Sequence, residues 1–265
     1  MESGNPTTKV MSLRHAYQRI IGGNEAPENT IPWQVLVSID GARGGGMVIA
    51  DRWIMTAAHL VLAYGNPVPN DTIRVFMGVT DVNTDLNLGV QAASVYVHPD
   101  YNNPNSGDYS NDIALIKLLD PITFNPSIMP ICLPAEDATY HTGTMGLVSG
   151  FDVKRIDGTR ALKNKLQYVQ LPVVNQETCS NSIMLMTKRN NLRLTKNMFC
   201  AGFPEGGKDS CGGDGGGPFA LHDNGQFWAA GIVSWGFDCG KQGAYGVYTK
   251  VSNYLSWITK TIQEN

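Results

Sequence analysis

The sequence predicts an all-β fold, a pair of β-barrel units closed by one C-terminal helix. Three observations carry that expectation. From Ile31 onward the chain runs as short apolar stretches separated by turn residues. It holds 29 glycines and 14 prolines, which interrupt it too often for long helices. The clearest helical period lies in the last fifteen residues.

The strands are read in order as "WQVLVSI" from Trp33, "GMVIADRWIMTAA" from Gly46, "IRVFMG" from Ile73, "SVYVHP" from Ser94, "IALIKLL" from Ile113, "LQYVQLPVV" from Leu166, "FWAAGIVSWG" from Phe227 and "GVYTKV" from Gly246. Each is rich in Val, Ile, Tyr, Phe or Trp, alternates in part, and is bounded by Gly, Pro, Asn or Asp, as antiparallel strands should be. In the tail "VSNYLSWITKTIQEN", Val251, Tyr254, Leu255, Ile258 and Ile262 fall on one helical face. That stripe predicts a helix docked on the barrels.

The 265 residues suit one large domain or two small ones, and 42% hydrophobic content supports a sizeable core. A formal net charge of -3 argues against binding to nucleic acid or an anionic membrane, which normally requires a basic chain. No apolar run approaches the roughly 18 residues a membrane span needs. The polar start "MESGNPTTKVMSLRHAYQ" has no apolar signal core and reads as the beginning of a fragment. The five cysteines contain no CxxC, which disfavours zinc-ribbon or thioredoxin-like chemistry. They fit either buried thiols of a reducing compartment or two pairs and an orphan in an oxidising one. Asn70-Asp71-Thr72 is an N-glycosylation sequon.

The stretch "DSCGGDGGGP", Asp209 to Pro218, is the most unusual in the chain, with five glycines in ten residues. A linker would separate segments of different character, yet strand-like sequence continues on both sides. A Walker-type phosphate loop needs Lys and then Ser or Thr after its last glycine, where Pro218 stands. The glycines therefore mark a site where backbone approaches something closely. Three further islands accompany it: "TAAH" ending in His59, "NDIAL" containing Asp112, and "RIIGG" joining Arg19 to Ile20. His, then Asp, then a glycine-rich loop is the chain order of the chymotrypsin triad.

With "SWG" at Ser234–Gly236 and "GVYT" at Gly246–Thr249, the sequence resembles the trypsin-like serine proteases from Arg19 to its C-terminus. Within that family it is most similar to the complement initiators, the first-component and mannan-binding-lectin-associated serine proteases. "LQYVQLPVV", "NMFCAG", "EGGKDSC" and "YGVYTKVSNY" carry that likeness. Gly44 and Leu60 stand where most trypsin relatives place a disulfide bracing the histidine, a bridge that several complement proteases also lack.

The resemblance implies two six-stranded antiparallel β-barrels with the catalytic groups at their junction. By the family's mechanism, His59 matches the general base and Asp112 the acid that orients it. The N–H groups of Gly213 and Gly215 match the oxyanion hole. Asp209 matches the carboxylate at the floor of the specificity pocket, selecting a substrate Arg or Lys. Ser210, Ser234, Trp235, Gly236 and Gly246 match its surroundings, Ser234 also supporting Asp112. Arg19–Ile20 matches an activation bond whose cleavage frees an α-amino group to pair with Asp214. Residues 1–19 are then an activation segment and 20–265 the protease domain.

One position departs from the family. Where the nucleophilic serine belongs, this chain has Gly215. Without a hydroxyl no acyl-enzyme forms there, and Ser210 is misplaced to substitute. A single lesion among otherwise intact parts fits inactivation of a working protease, and a natural loss fits too, leaving a non-catalytic binding module.

The resemblance also pairs Cys179 with Cys200 and Cys211 with Cys239, each bridge worth roughly 3–4 kcal/mol in the chain-entropy model. Cys132 matches the cysteine that tethers the protease domain to an upstream chain, here cut away. The expected protein is secreted, is activated by another protease, acts on a protein substrate, and needs no cofactor or metal. Asp81 and Asp85 lie where some trypsins hold calcium but read as solvated turn residues. The Cys179–Cys200 segment is long and basic and is expected to be a variable loop.

Overall fold

The computed structural model describes residues 22–63, 65–83, 89–101, 109–136, 138–151, 153–156, 159–162, 165–187, 192–210 and 214–265. Twelve strands build two closed barrels. The first contains β1 (Gln34–Ile39), β2 (Ala42–Ala50), β3 (Trp53–Thr56), β4 (Ile73–Met77), β5 (Val90–Val97) and β6 (Ala114–Leu118). Its antiparallel strands close in the order β1-β2-β3-β6-β5-β4.

The second contains β7 (Met145–Gly150), β8 (Gln167–Val174), β9 (Met198–Ala201), β10 (Pro218–Asp223), β11 (Gln226–Trp235) and β12 (Gly246–Lys250). It runs β8-β7-β10-β11-β12-β9 and closes through β8–β9 pairing. A two-residue strand, Asn24–Glu25, adds to the outside of β8.

Local chemistry sets the registers. Asp40 and Gly41, at φ 48° and 81°, join β1 to β2, and Asn224 and Gly225, at 48° and 79°, join β10 to β11. Two successive positive φ values make the hairpin turn whose twist matches the strands, and Asp-Gly and Asn-Gly adopt it most readily. In β8, Gln167, Val169, Leu171 and Val173 point inward while the residues between them do not. In β4, Ile73, Val75 and Met77 do the same. Each such buried Val, Ile or Leu contributes roughly 1.5–3 kcal/mol, and a one-residue slip would expose the whole row.

Inside the first barrel lie Val35, Val37, Val48, Ile54, Val75 and Ile116. The second is filled by an aromatic trio, with Phe219 edge-on to Phe199 and Tyr248 at centroid distances of 5.1 and 4.9 Å. A third cluster joins the barrels, bringing Leu36, Met47 and Met55 together with Ala220, Ala229 and Ile232.

The C-terminal stripe docks as expected, although it begins as a 3₁₀ turn, Val251–Tyr254, before the helix Leu255–Glu264. Val251, Tyr254 and Ile258 are buried in the inter-barrel cluster, with Leu255 and Ile262 at its margin. A second helix, α1 (Gln176–Thr187), stands where the sequence reading has only a loop. Its start is capped by Asn175, whose Oδ1 accepts the N–H groups of Glu177 and Thr178 at 2.9 and 3.3 Å. Its periodicity is faint because it buries only Cys179 and Ile183. The Cys179–Cys200 disulfide holds it to β9. Among the described residues no helix is long and apolar enough to cross a membrane.

Candidate active site

His59 sits on a 3₁₀ turn, Ala58–Leu60, just after β3. Asp112 precedes β6, and β3 and β6 are hydrogen-bonded neighbours, so the sheet brings the two side chains together. The His59 backbone N–H donates to Asp112 Oδ1 at 2.9 Å, and its Nδ1 meets Oδ2 at 2.8 Å. The Asp112 carboxylate is fully buried, and Oδ2 also accepts the hydroxyl of Ser234 from β11. Thr249 Oγ1 donates to the Asp112 carbonyl at 2.9 Å. One acid is thus held by groups from both barrels. Burial alone would lower the His59 pKa, but the Asp112 charge and hydrogen bond together outweigh it and raise it. Such an imidazole can accept a proton at Nε2 while the carboxylate stabilises the resulting cation.

The glycine loop faces Nε2. A Cβ placed on Gly215 would lie 3.0 Å from His59 Nε2, so a side chain there points at the free nitrogen. The contact is tight, and a serine at 215 moves the ring by a few tenths of an ångström. The loop is held between β2 and β11 by backbone hydrogen bonds. Gly45 N–H donates to the Gly215 carbonyl at 2.8 Å, and Gly216 N–H to Val233 O at 2.8 Å. A Cβ on Gly216 would come within 2.3 Å of Thr56 Oγ1 and 2.5 Å of Gly45 O, and its φ of 80° disfavours any other residue. A Cβ on Gly217 would likewise fall 2.8 Å from Asp214 O, so close approach requires glycine at both positions.

A cavity of about 210 Å³ opens beside this pair, lined by His59, Tyr109, Ser210, Gly215, Ser234, Trp235, Gly236 and others. Tyr109, which the sequence reading missed, stacks on Trp235 with centroids 5.8 Å apart. Ser210 Oγ meets Tyr248 OH at 2.7 Å. Gly246 packs closely, since a Cβ there would approach Tyr248 OH at 3.0 Å and Ser210 Oγ at 3.1 Å. At Gly236 a Cβ would make only ordinary contacts, 3.7 Å from Gly246 Cα.

Asp209 is buried beside Ser210 in the chain and does not itself line the cavity. Its Oδ2 accepts the Gly240 N–H at 2.9 Å, while Oδ1 has no hydrogen-bond partner among the described residues. Burial pushes its pKa up to about 7, opposed by backbone hydrogen bonds from Gly240 and Ser210.

Asp214 is fully buried, and its carboxylate lies against Gly150, where a Cβ would come within 2.3 Å of Oδ1. Arg19, Ile20, Cys211, Gly213 and Asp85 lie outside the described residues. Cys239 is disulfide-bonded and Cys132 is a half-buried free thiol. Gly44 and Leu60 are neighbours, a Cβ on Gly44 falling 2.5 Å from Leu60 Cδ1, so the leucine fills that space. Asp81 Oδ1 accepts the Asn83 N–H within a turn. Asn70 is exposed, with Nδ2 donating to Ala93 O at 2.9 Å.

Comparison with known proteins agrees with this architecture. The Trypsin family model matches residues 20–258. Mouse complement C1r-A subcomponent is 41% identical over 250 residues, covering 92% of this chain and 34% of that protein. Rat complement C1r subcomponent-like protein is 40% identical over 91% of this chain and 52% of its own length. Rat complement C1s subcomponent is 37% identical over 94% and 36% respectively. The chain spans about a third to a half of the length of these relatives. An imidazole–carboxylate pair at the junction of two six-stranded barrels, with matches across nearly the whole chain, leads to one assignment: the chain belongs to the trypsin family, as a serine protease domain related to the complement C1r and C1s subcomponents.

Proposed function

We propose that this chain is the endopeptidase domain of a secreted, zymogen-type complement protease, cutting after Arg or Lys, with its nucleophile replaced by Gly215. The observation that carries the reading is the position of Gly215 itself. Its missing side chain would project at His59 Nε2, whose partner nitrogen is held by a buried carboxylate. With a serine there, His59 takes the hydroxyl proton as the oxygen attacks the scissile carbonyl, then returns it to the leaving amine. The Gly213 and Gly215 N–H groups receive the developing oxyanion. Asp209 supports selection of a cationic residue, since a buried carboxylate with one oxygen unbonded among the described residues favours a guanidinium or ammonium partner.

The family match begins at Ile20, in keeping with activation by cleavage after Arg19 and pairing of the new amine with Asp214. Residues 1–19 then form the activation segment. Free Cys132 fits a tether to an upstream chain.

The test restores serine at position 215, cleaves the Arg19–Ile20 bond with trypsin, and assays arginyl and lysyl esters and amides. Hydrolysis that Asp209→Ser abolishes supports the reading. A second reading, a non-catalytic homologue that docks substrates, also fits Gly215. Correctly folded, cleaved Gly215→Ser protein without hydrolysis would select it.

A further inference from the structure

Asp112 can orient His59 only if the turn carrying it is rigid. The chain enters that turn through Asn111, whose φ of 62° lies in the left-handed region. Among residues with a Cβ, asparagine takes this conformation at the lowest cost. Ile113 N–H donates to the Asn111 carbonyl at 2.8 Å, so the backbone closes tightly around Asp112 itself.

The Asn111 side chain ties this turn to three other segments. Its Nδ2 donates to the Asp100 carbonyl, beyond β5 of the first barrel, at 2.8 Å. Its Oδ1 accepts Asn197 Nδ2, just before β9 of the second barrel, at 3.2 Å. The same oxygen accepts Tyr254 OH, from the turn that starts the C-terminal helix, at 2.9 Å. Each partner is fixed in turn. Asn253 Nδ2 donates to Asn197 Oδ1 at 2.8 Å, and the buried Tyr254 ring meets the His98 ring edge-on at 5.2 Å. Both hydrogen-bonding ends of one amide are therefore used.

We propose that Asn111 is a positioning residue, clamping the Asp112 turn to both barrels and the C-terminal segment and so fixing the carboxylate that aligns His59. The inference rests on the His59–Asp112 reading proposed above. Asn111 does not line the cavity, so it acts only through Asp112. Loosening the clamp lets the carboxylate rotate and lengthens its hydrogen bond to Nδ1. A merely structural tie would change stability alone.

The experiment uses the Gly215 chain as it stands, following the His59 ring by NMR against pH in the parent, Asn111→Gly and Tyr254→Phe proteins. Glycine accepts the left-handed backbone, so Asn111→Gly removes only the side-chain bonds. Tyr254→Phe keeps the ring contact and deletes one donor. Tyr109 is the other titratable side chain lining the cavity; burial, then the Asp112 charge, raise its pKa, so it stays neutral throughout.

Both variants should lower the His59 pKa, Asn111→Gly by ~0.5 unit or more, because a displaced carboxylate supports the imidazolium less. In the Gly215→Ser enzyme, Asn111→Gly should lower kcat several-fold with KM little changed. Folded variants that lose stability yet titrate like the parent would overturn the proposal, and Tyr254→Phe decides alone if Asn111→Gly does not fold. The titration needs no turnover, so a restored enzyme that fails to hydrolyse bears on the function and leaves this inference intact.

Discussion

The carboxylate of Asp209 should make binding of a cationic ligand depend on pH in a range where ordinary aspartates are silent. Its pKa is raised from 3.8 to about 7, first by burial, and the group is only 3% exposed. With that value roughly 90% is ionised at pH 8 and roughly 10% at pH 6. A benzamidinium ion, which mimics an arginine side chain, binds the ionised form. Its apparent Kd should therefore rise about tenfold between pH 8 and pH 6, or about 1.4 kcal/mol. Binding at pH 6 should also expel close to one proton (~0.9), because the ligand draws the acid into its charged state.

The sign of the stability effect follows from the same shift. A raised folded-state pKa means the protonated form is favoured by the fold. That contribution is fully present below 3.8 and is lost as pH rises through about 7. The ligand offsets this loss at high pH. Isothermal titration calorimetry in buffers of different ionisation enthalpy reads both affinity and proton release, before and after cleavage at Arg19–Ile20. His59, whose pKa is also raised, would add repulsion at low pH, so the series is repeated in His59→Gln. Affinity constant from pH 6 to 8 in that variant, with no proton released, would refute the reasoning.

Two further outcomes test the packing and the cysteines. Gly146→Ala should cost at least 1–3 kcal/mol (order of magnitude) in urea unfolding, since a Cβ would fall 2.0 Å from the buried Phe219 ring, itself held by Phe199 and Tyr248; parent-like stability would mean that the ring has room to move. Non-reducing alkylation followed by mass spectrometry should label Cys132 alone of the five cysteines, and label on Cys211 or Cys239 would break their expected pairing.

What could be read from the chain, and what could not, follows from the range of the interactions. The alternation in β8 and the amphipathic tail are local signals, and both appear where read. The Asp40-Gly41 and Asn224-Gly225 turns were equally local and could have set two registers in advance. Helix α1 was missed because a disulfide and one Asn cap hold it, with Met184 and Leu185 left exposed on its surface. Barrel closure through β1–β4 and β8–β9 joins strands distant in sequence, which no local pattern encodes. The site is less local still. His59, Asp112 and Ser234 are separated by 53 and 122 positions along the chain, and only family resemblance joined them beforehand. Tyr109 and Asn111 escaped notice although they lie within three residues before Asp112, because nothing in their residue types marks a stacking partner or a clamp.

The geometry also shows how the site can hold its shape with glycine at position 215. From Asp214 to Gly217 the hydrogen bonds described are made by backbone. Gly45 holds the Gly215 carbonyl, Gly216 and Val233 exchange bonds across the loop with Gly217, and Gly217 N–H closes on Asp214 O at 2.9 Å. Asp112 is held by the His59 backbone and ring and by Ser234, none of which uses a hydroxyl at position 215. A serine there would contact chiefly His59, and tightly. On the proposed reading, a glycine there would delete the chemistry while leaving these bonds intact. Relaxed selection would be expected to strike the buried, costly groups as well, beginning with carboxylates such as Asp209, whose ionisation burial opposes. Asp209, Asp112 and Asp214 all remain, which is the pattern expected under the proposed protease reading.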